Sequence, residues 1–239
     1  MAKKIVIASG KGGVGKTTVC IGLGKALCKS GFRVLIVDFD NLRSVDLLAD
    51  AAERIVYDWG DVVLGRCESS EAIYDCGEIS IMSCPGSYGD FKPSDIKKLM
   101  MLYDSQFDYI LMDSPAGIGT GLSLACSGAD RGLVVSIPDL VSVRSACIAA
   151  DSMKQFGVDN CRLIINRFIE KDIRKKRLLN IDEVIDSTEV QLIGIVPEDK
   201  KIRMGSMGRP IFMPDQISYY AFTRIAQRIQ GKNVPLEIL

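Results

Sequence analysis

Two rhythms of apolar and polar residues alternate along the chain. Short, nearly continuous apolar runs occupy 3–9 (KKIVIAS), 32–40 (FRVLIVDFD), 78–84 (EISIMSC), 107–115 (FDYILMDSP) and 131–139 (RGLVVSIPD). Two more, CRLIINRF and VQLIGIVPED, begin at Cys161 and Val190. All seven read as strands. Between them the apolar residues take helical spacing. Val19, Leu23, Ala26 and Leu27 share one face of 15–31, a segment that stops at Gly31. Helices are also expected over 93–105, which opens on Pro93 and Ser94, near 120–128, from Leu140 to Gly157, and over about 215–230. The last is amphipathic and reads as packing on the domain core. Strands apolar on both faces that alternate with helices predict an α/β fold, a mostly parallel central sheet covered by helices on both sides. No repeat or low-complexity linker interrupts the pattern, so 1–239 is expected to form one domain.

Composition narrows the chemistry. Lys+Arg and Asp+Glu both number 30, so net charge gives no pull toward nucleic acid. The one basic run, DIRKKRLLN at 172–180, reads first as a solvated loop or helix start. The chain has no histidine, which removes histidine metal sites, histidine bases and Ser-His-Asp triads. Its eight cysteines include no Cys-x-x-Cys pair and several lie in apolar stretches. They read as buried thiols in a reducing cytoplasm. The opening apolar run is too short for a signal peptide, and no stretch of about 20 apolar residues is present to span a membrane.

The strongest chemical signal follows the first strand. Gly10, Lys11, Gly12, Gly13, Val14, Gly15, Lys16 and Thr17 fit G-x-x-x-x-G-K-[ST] at every fixed position, between a predicted strand and a predicted helix. Glycines let backbone N–H groups approach phosphate oxygens, and the helix start adds the positive end of its dipole. Lys16 would bring a cation to the β and γ phosphates, Thr17 would ligate Mg²⁺, and Thr18 would donate to a phosphate. Asp38 and Asp40 end the second strand and Asp113 ends the run YILMD. Carboxylates at the carboxyl ends of parallel strands suit a Mg²⁺ ion that keeps its waters. The predicted fold is thus a P-loop NTPase.

KGGVGKTT, together with VDFD and DSPAGIG, resembles the deviant Walker A ATPases of the MinD/ParA group, nearer its MinD branch. DSPAGI at 113–118, SVR at 142–144, INRF at 165–168 and IGIVPEDKKI at 193–202 extend the likeness over residues 3 to about 230. The resemblance implies an ATPase that works slowly as a switch and forms a homodimer when ATP binds. It implies that Lys11 reaches the nucleotide of the partner subunit while Lys16 serves its own. Asp40 would position the attacking water in switch I, Asp38 would lie near Mg²⁺, and Asp113 would be the Walker B aspartate. Pro115, Ala116 and Gly117 would form the switch II turn. Asn166 would read adenine, with Pro197 and Glu198 closing over the base. The implied task is division-site placement or polar positioning, with an activating protein partner. The alternatives are a partition ATPase that binds DNA through Arg174, Lys175, Lys176 and Arg177, and a regulator of flagellar number. Cys84 and Cys126 are the one pair even loosely disposed for an iron–sulfur cluster, and none is expected.

The sequence departs from the MinD pattern in three places. No basic amphipathic repeat follows Gly231, Pro235 limits any helix, and Leu236, Ile238 and Leu239 offer too little apolar area for a stable anchor. A cytoplasmic protein is expected, with any contact to the inner face of the membrane weak or indirect. Switch I, DFDNLRSVD, is one residue shorter than usual and lacks a glycine, and Gly119 stands where an acid is usual. These two changes bear on the path of switch I and on partner contacts near switch II.

Overall fold

The computed structural model describes residues 1–205 and 212–236. Ile238 and Leu239, weighed above as tail residues, lie outside the described residues. The strands are β1 (Lys3–Ala8), β2 (Val34–Asp38), β3 (Tyr74–Cys76), β4 (Ile79–Met82), β5 (Tyr109–Asp113), β6 (Arg131–Ser136), β7 (Cys161–Phe168) and β8 (Leu192–Pro197). They form one sheet in the order β3-β4-β2-β5-β1-β6-β7-β8. Every pairing is parallel except β3 with β4 at the edge. Gly77, at φ +82°, makes the tight turn that this antiparallel pair needs.

The helices are α1 (Lys16–Lys29), α2 (Ser44–Leu48), α3 (Trp59–Val63), α4 (Pro93–Leu102) and α5 (Thr120–Ser127). After them come α6 (Leu140–Gln155), α7 (Glu170–Arg174), α8 (Ile181–Thr188), α9 (Lys200–Gly205) and α10 (Ile217–Ile229). The seven strands and five helices expected from the sequence are all present. The edge strand β3 and the short helices α2, α3, α7, α8 and α9 are additional.

The period of two along the strands divides the core. Val6, Ala8, Leu35, Val37, Ile110 and Met112 face one side, where α3, α4, α5, α6 and α8 pack. Ile5, Ile7, Val34, Ile36, Tyr109 and Leu111 face the other, under α1 and α10. α10 buries Ala221, Phe222, Ile225, Ala226 and Ile229, so its apolar stripe is a core face. A Cβ on Gly22 of α1 would lie 2.5 Å from the Phe222 ring, so glycine there permits the close approach of the two helices. Arg228 then fastens the following segment, donating to the carbonyls of Ile193, Val234 and Pro235.

This order places the carboxyl ends of β1, β2 and β5 side by side. The chain leaves β1 toward β2 on one flank, while β6 lies on the other. The crevice at such a reversal is where open α/β sheets bind ligands.

Candidate nucleotide site

The loop from Ser9 to Gly15 opens at the end of β1. Gly13 and Gly15 have φ of +78° and +91°, a region that side chains with a Cβ rarely enter. Gly15 begins α1 with no side-chain cap, which leaves first-turn N–H groups directed outward. Gly10 has a different reason to be glycine. A Cβ there would lie 2.0 Å from the backbone oxygen of Ser145 in α6. Asn166 holds the loop from below, its Nδ2 donating to the Val14 carbonyl at 2.7 Å. The expected adenine reader therefore also supports the loop. The turn expected to be switch II is tied to the same loop, because Gly117 N donates to Ser9 O at 3.1 Å.

Lys16 is buried, and the Thr17 hydroxyl donates to Asp113 Oδ2 at 2.6 Å. The other oxygen, Oδ1, is buried without a partner. Burial pushes the Asp113 carboxyl up to about 6, against the opposing pull of Thr17 and Lys16. Asp38 stands in register beside Asp113 on the neighbouring strand. Burial and then the Asp113 charge raise its carboxyl too, although it accepts from Asp40 N at 2.7 Å and Val45 N at 3.2 Å. Two adjacent buried carboxylates, one with an orphaned oxygen, form a site whose negative charge a divalent cation would neutralise. Among the described residues no three acidic or cysteine side chains close into a metal cage. Mg²⁺ held largely by water and phosphate fits that sparse donor set.

Asp40 Oδ1 accepts from Leu42 N at 3.0 Å, so its carboxylate is held over the first turn after β2, the segment expected to be switch I. The shortened segment turns through Arg43, at φ +54°, a conformation costing a non-glycine residue about 1 kcal/mol. Asp46 offsets that strain. Its Oδ2 lies 2.7 Å from both Arg43 Nε and the hydroxyl of Ser83. Trp59 fixes the end of β2 from behind, its indole N–H donating to Asp38 O at 2.9 Å while its ring packs on Phe39 and Phe91.

On the opposite flank, a cleft of about 160 Å³ is lined by Gly15, Thr18, Asn166, Pro197, Glu198 and Ile202, among others. Glu198 N donates to Phe168 O at 3.0 Å, and its carboxylate lies 3.8 Å from Arg167 Nε. Thr18 and all three residues expected at the base therefore border one recess. Lys11 stands apart from them. Its Nζ is 3.7 Å from Asp139 Oδ1, with 42% of its side chain exposed. Asp139 caps α6, accepting from Val141 N, Ser142 N and the Ser142 hydroxyl. Burial opposes its charge, yet Ser142, Lys11 and Val141 hold its carboxyl below the usual range. Asp139 was not among the expected site residues, although an aspartate just before a helical run carries the signal of a cap.

Residues 5–211 match the CobQ/CobB/MinD/ParA nucleotide binding domain. The septum site-determining protein MinD of Bacillus subtilis (strain 168) is 37% identical over 249 residues, spanning 100% of this chain and 93% of that protein. A chain of the Aquifex aeolicus MinC:MinD cell division protein complex has a TM-score of 0.90 at 32% identity, with 99% of both chains covered. The Pyrococcus horikoshii MinD complexed with Mg-ADP has a TM-score of 0.84 at 26% identity, with 96% of both covered. The phosphate loop, the sheet that carries it and these full-length likenesses agree: the chain belongs to the CobQ/CobB/MinD/ParA family of nucleotide-binding proteins.

Proposed function

We infer that this chain is an ATP-hydrolysing switch of the MinD type, acting in division-site placement. The observation that carries the reading is the Thr17–Asp113 pair beneath an uncapped glycine loop, with Asp113 Oδ1 left open. The backbone N–H groups of Gly12 to Lys16 would hold the phosphates, and Lys16 would neutralise them from its buried position. Thr17, Asp38 and Asp113 would hold Mg²⁺, the last two through its waters. The bound ion supplies charge neutralisation to the β and γ phosphates. Asp40 would orient the attacking water, so that the protein contributes positioning and electrostatics more than covalent chemistry. Asn166, Pro197 and Glu198 would enclose the base.

Two copies would close face to face over ATP, with Lys11 leaving Asp139 for the nucleotide of the other copy. The γ-phosphate would hold both switch segments, and its loss would release them. The MinC:MinD assembly of Aquifex aeolicus supports a protein partner on this scaffold. Among the described residues no helix is long and apolar enough to cross a membrane.

Charge pairing weighs against the DNA-partition alternative. Two of the four cations at 174–177 face acids on their own segment, Arg174 with Glu170 and Arg177 with Asp172. ATP-dependent sedimentation with anionic liposomes, and with plasmid DNA in parallel, tests the choice. Co-sedimentation with liposomes alone would support the MinD-type reading, and binding to DNA alone would overturn it.

A further inference from the structure

The two switch segments meet on the side away from the base, and one side chain spans them. Tyr88 lies between β4 and α4. Its hydroxyl donates to the carbonyl of Phe39, the residue between Asp38 and Asp40. The same connection grips switch I again, because Asn41 Nδ2 donates to Gly86 O at 3.0 Å. The same hydroxyl end of Tyr88 meets the first turn of α5, immediately after the expected switch II turn. A Cβ added to Gly121 would lie 2.3 Å from the Tyr88 hydroxyl oxygen and 2.5 Å from Pro115 Cγ. Tyr88 therefore fills a gap bounded by the Phe39 backbone, Pro115 and Gly121.

The Phe39 peptide is thus anchored from both sides. Its N–H donates to Asp113 O at 2.8 Å, which ties it to the strand leading into switch II, and its carbonyl is held by Tyr88. The next residue in the chain is Asp40. A movement of Pro115 toward or away from the nucleotide would press on the tyrosine, and the tyrosine would pass it to the peptide that sets Asp40.

Resting on the ATPase reading above, we propose that Tyr88 is a positioning residue that couples switch II to switch I and so sets the placement of Asp40. It touches neither the phosphate loop nor the base cleft, so ground-state nucleotide affinity does not depend on it.

Tyr88→Phe tests this, since the ring and its packing stay while the hydroxyl goes. The expected result is a five- to tenfold fall in kcat, the size of one lost hydrogen bond, with KM and ATP affinity unchanged and the melting temperature within a few degrees of the parent. An unchanged kcat in the variant overturns the proposal, and so does a fall in kcat matched by an equal loss of ATP affinity. If the parent chain itself fails to turn over ATP, the ATPase reading falls first. Normal turnover in the parent beside normal turnover in Tyr88→Phe removes the coupling role alone.

Discussion

The Thr17 hydroxyl lies 2.6 Å from Asp113 Oδ2, joining the first turn of α1 to the end of β5. That bond holds one oxygen of a buried carboxylate and leaves the other open. Asp113 is therefore poorly solvated and only partly compensated when the site holds neither metal nor nucleotide.

A pH dependence follows from that environment. The Asp113 carboxyl is raised from its ordinary 3.8 to about 6 on folding, because burial disfavours the charged form. Its stabilising contribution is complete below about pH 4 and is lost as pH rises through about 6. In EDTA without nucleotide, Asp113→Asn should lose less stability than the parent across this window, by up to about 3 kcal/mol. Parallel pH–stability curves for the two proteins would contradict this account. Mg²⁺ with ADP should flatten the parent's curve by supplying the missing positive charge.

Lys16 is buried against Asp113, and no other lysine of the loop is placed to replace it. Lys16→Ala should weaken ATP binding by about a hundredfold and abolish measurable turnover. Calorimetric titration reads the first effect and phosphate release the second. Parent-like turnover would remove the phosphate-loop assignment.

For Asp40 the expected signature is different. Its carboxylate braces Leu42 N but lies outside the glycine loop. Asp40→Ala should still bind ATP, while kcat falls about a hundredfold and the ATP-bound dimer persists longer. A variant unable to bind ATP would refute the role given to Asp40.

Lys11 and Asp139 make a half-exposed pair at 3.7 Å, worth little to the fold. Lys11→Ala should change stability by under about 1 kcal/mol and leave monomer nucleotide binding intact. Sedimentation with and without ATP should show dimerisation lost. A variant that dimerises normally would place Lys11 outside the interface.

Gly10→Ala should fail for steric reasons, independent of charge. The new methyl would meet the Ser145 carbonyl, so loop and α6 must separate. A loss of about 1–3 kcal/mol is expected in denaturant titration, together with weaker ATP binding. Unaltered stability would mean that the two segments separate freely.

Much of this was readable in the sequence because each feature was local or strongly periodic. The runs that became β1, β2 and β5 are buried along almost their whole length. α1 carries three turns of spaced apolar residues. The phosphate loop is contiguous, and Asp38 and Asp113 end apolar runs, so strand polarity puts both at one edge of the sheet and the pairing of β2 with β5 sets them side by side. The short elements had too few residues to show a period. α2 and α3 have five residues each, and β3 has three, none of them buried. Two contacts between segments distant in sequence carried no signal. Asn166 supports Val14 across 152 positions, and Tyr88 reaches Phe39 across 49. Nor could the sequence say how the segment after β2 turns without a glycine. Arg43 takes the left-handed turn because Asp46 and Ser83 are there to hold it, and Ser83 is supplied by the segment after β4.

The chain contains a single tryptophan, and it is Trp59. Its indole is bonded to the carbonyl of Asp38 and packed against Phe39, so its surroundings change whenever the end of β2 shifts. The protein therefore carries its own optical clock. Emission excited at the red edge of the indole band, where adenine is transparent, times the rearrangement of this strand end without a label and apart from phosphate release.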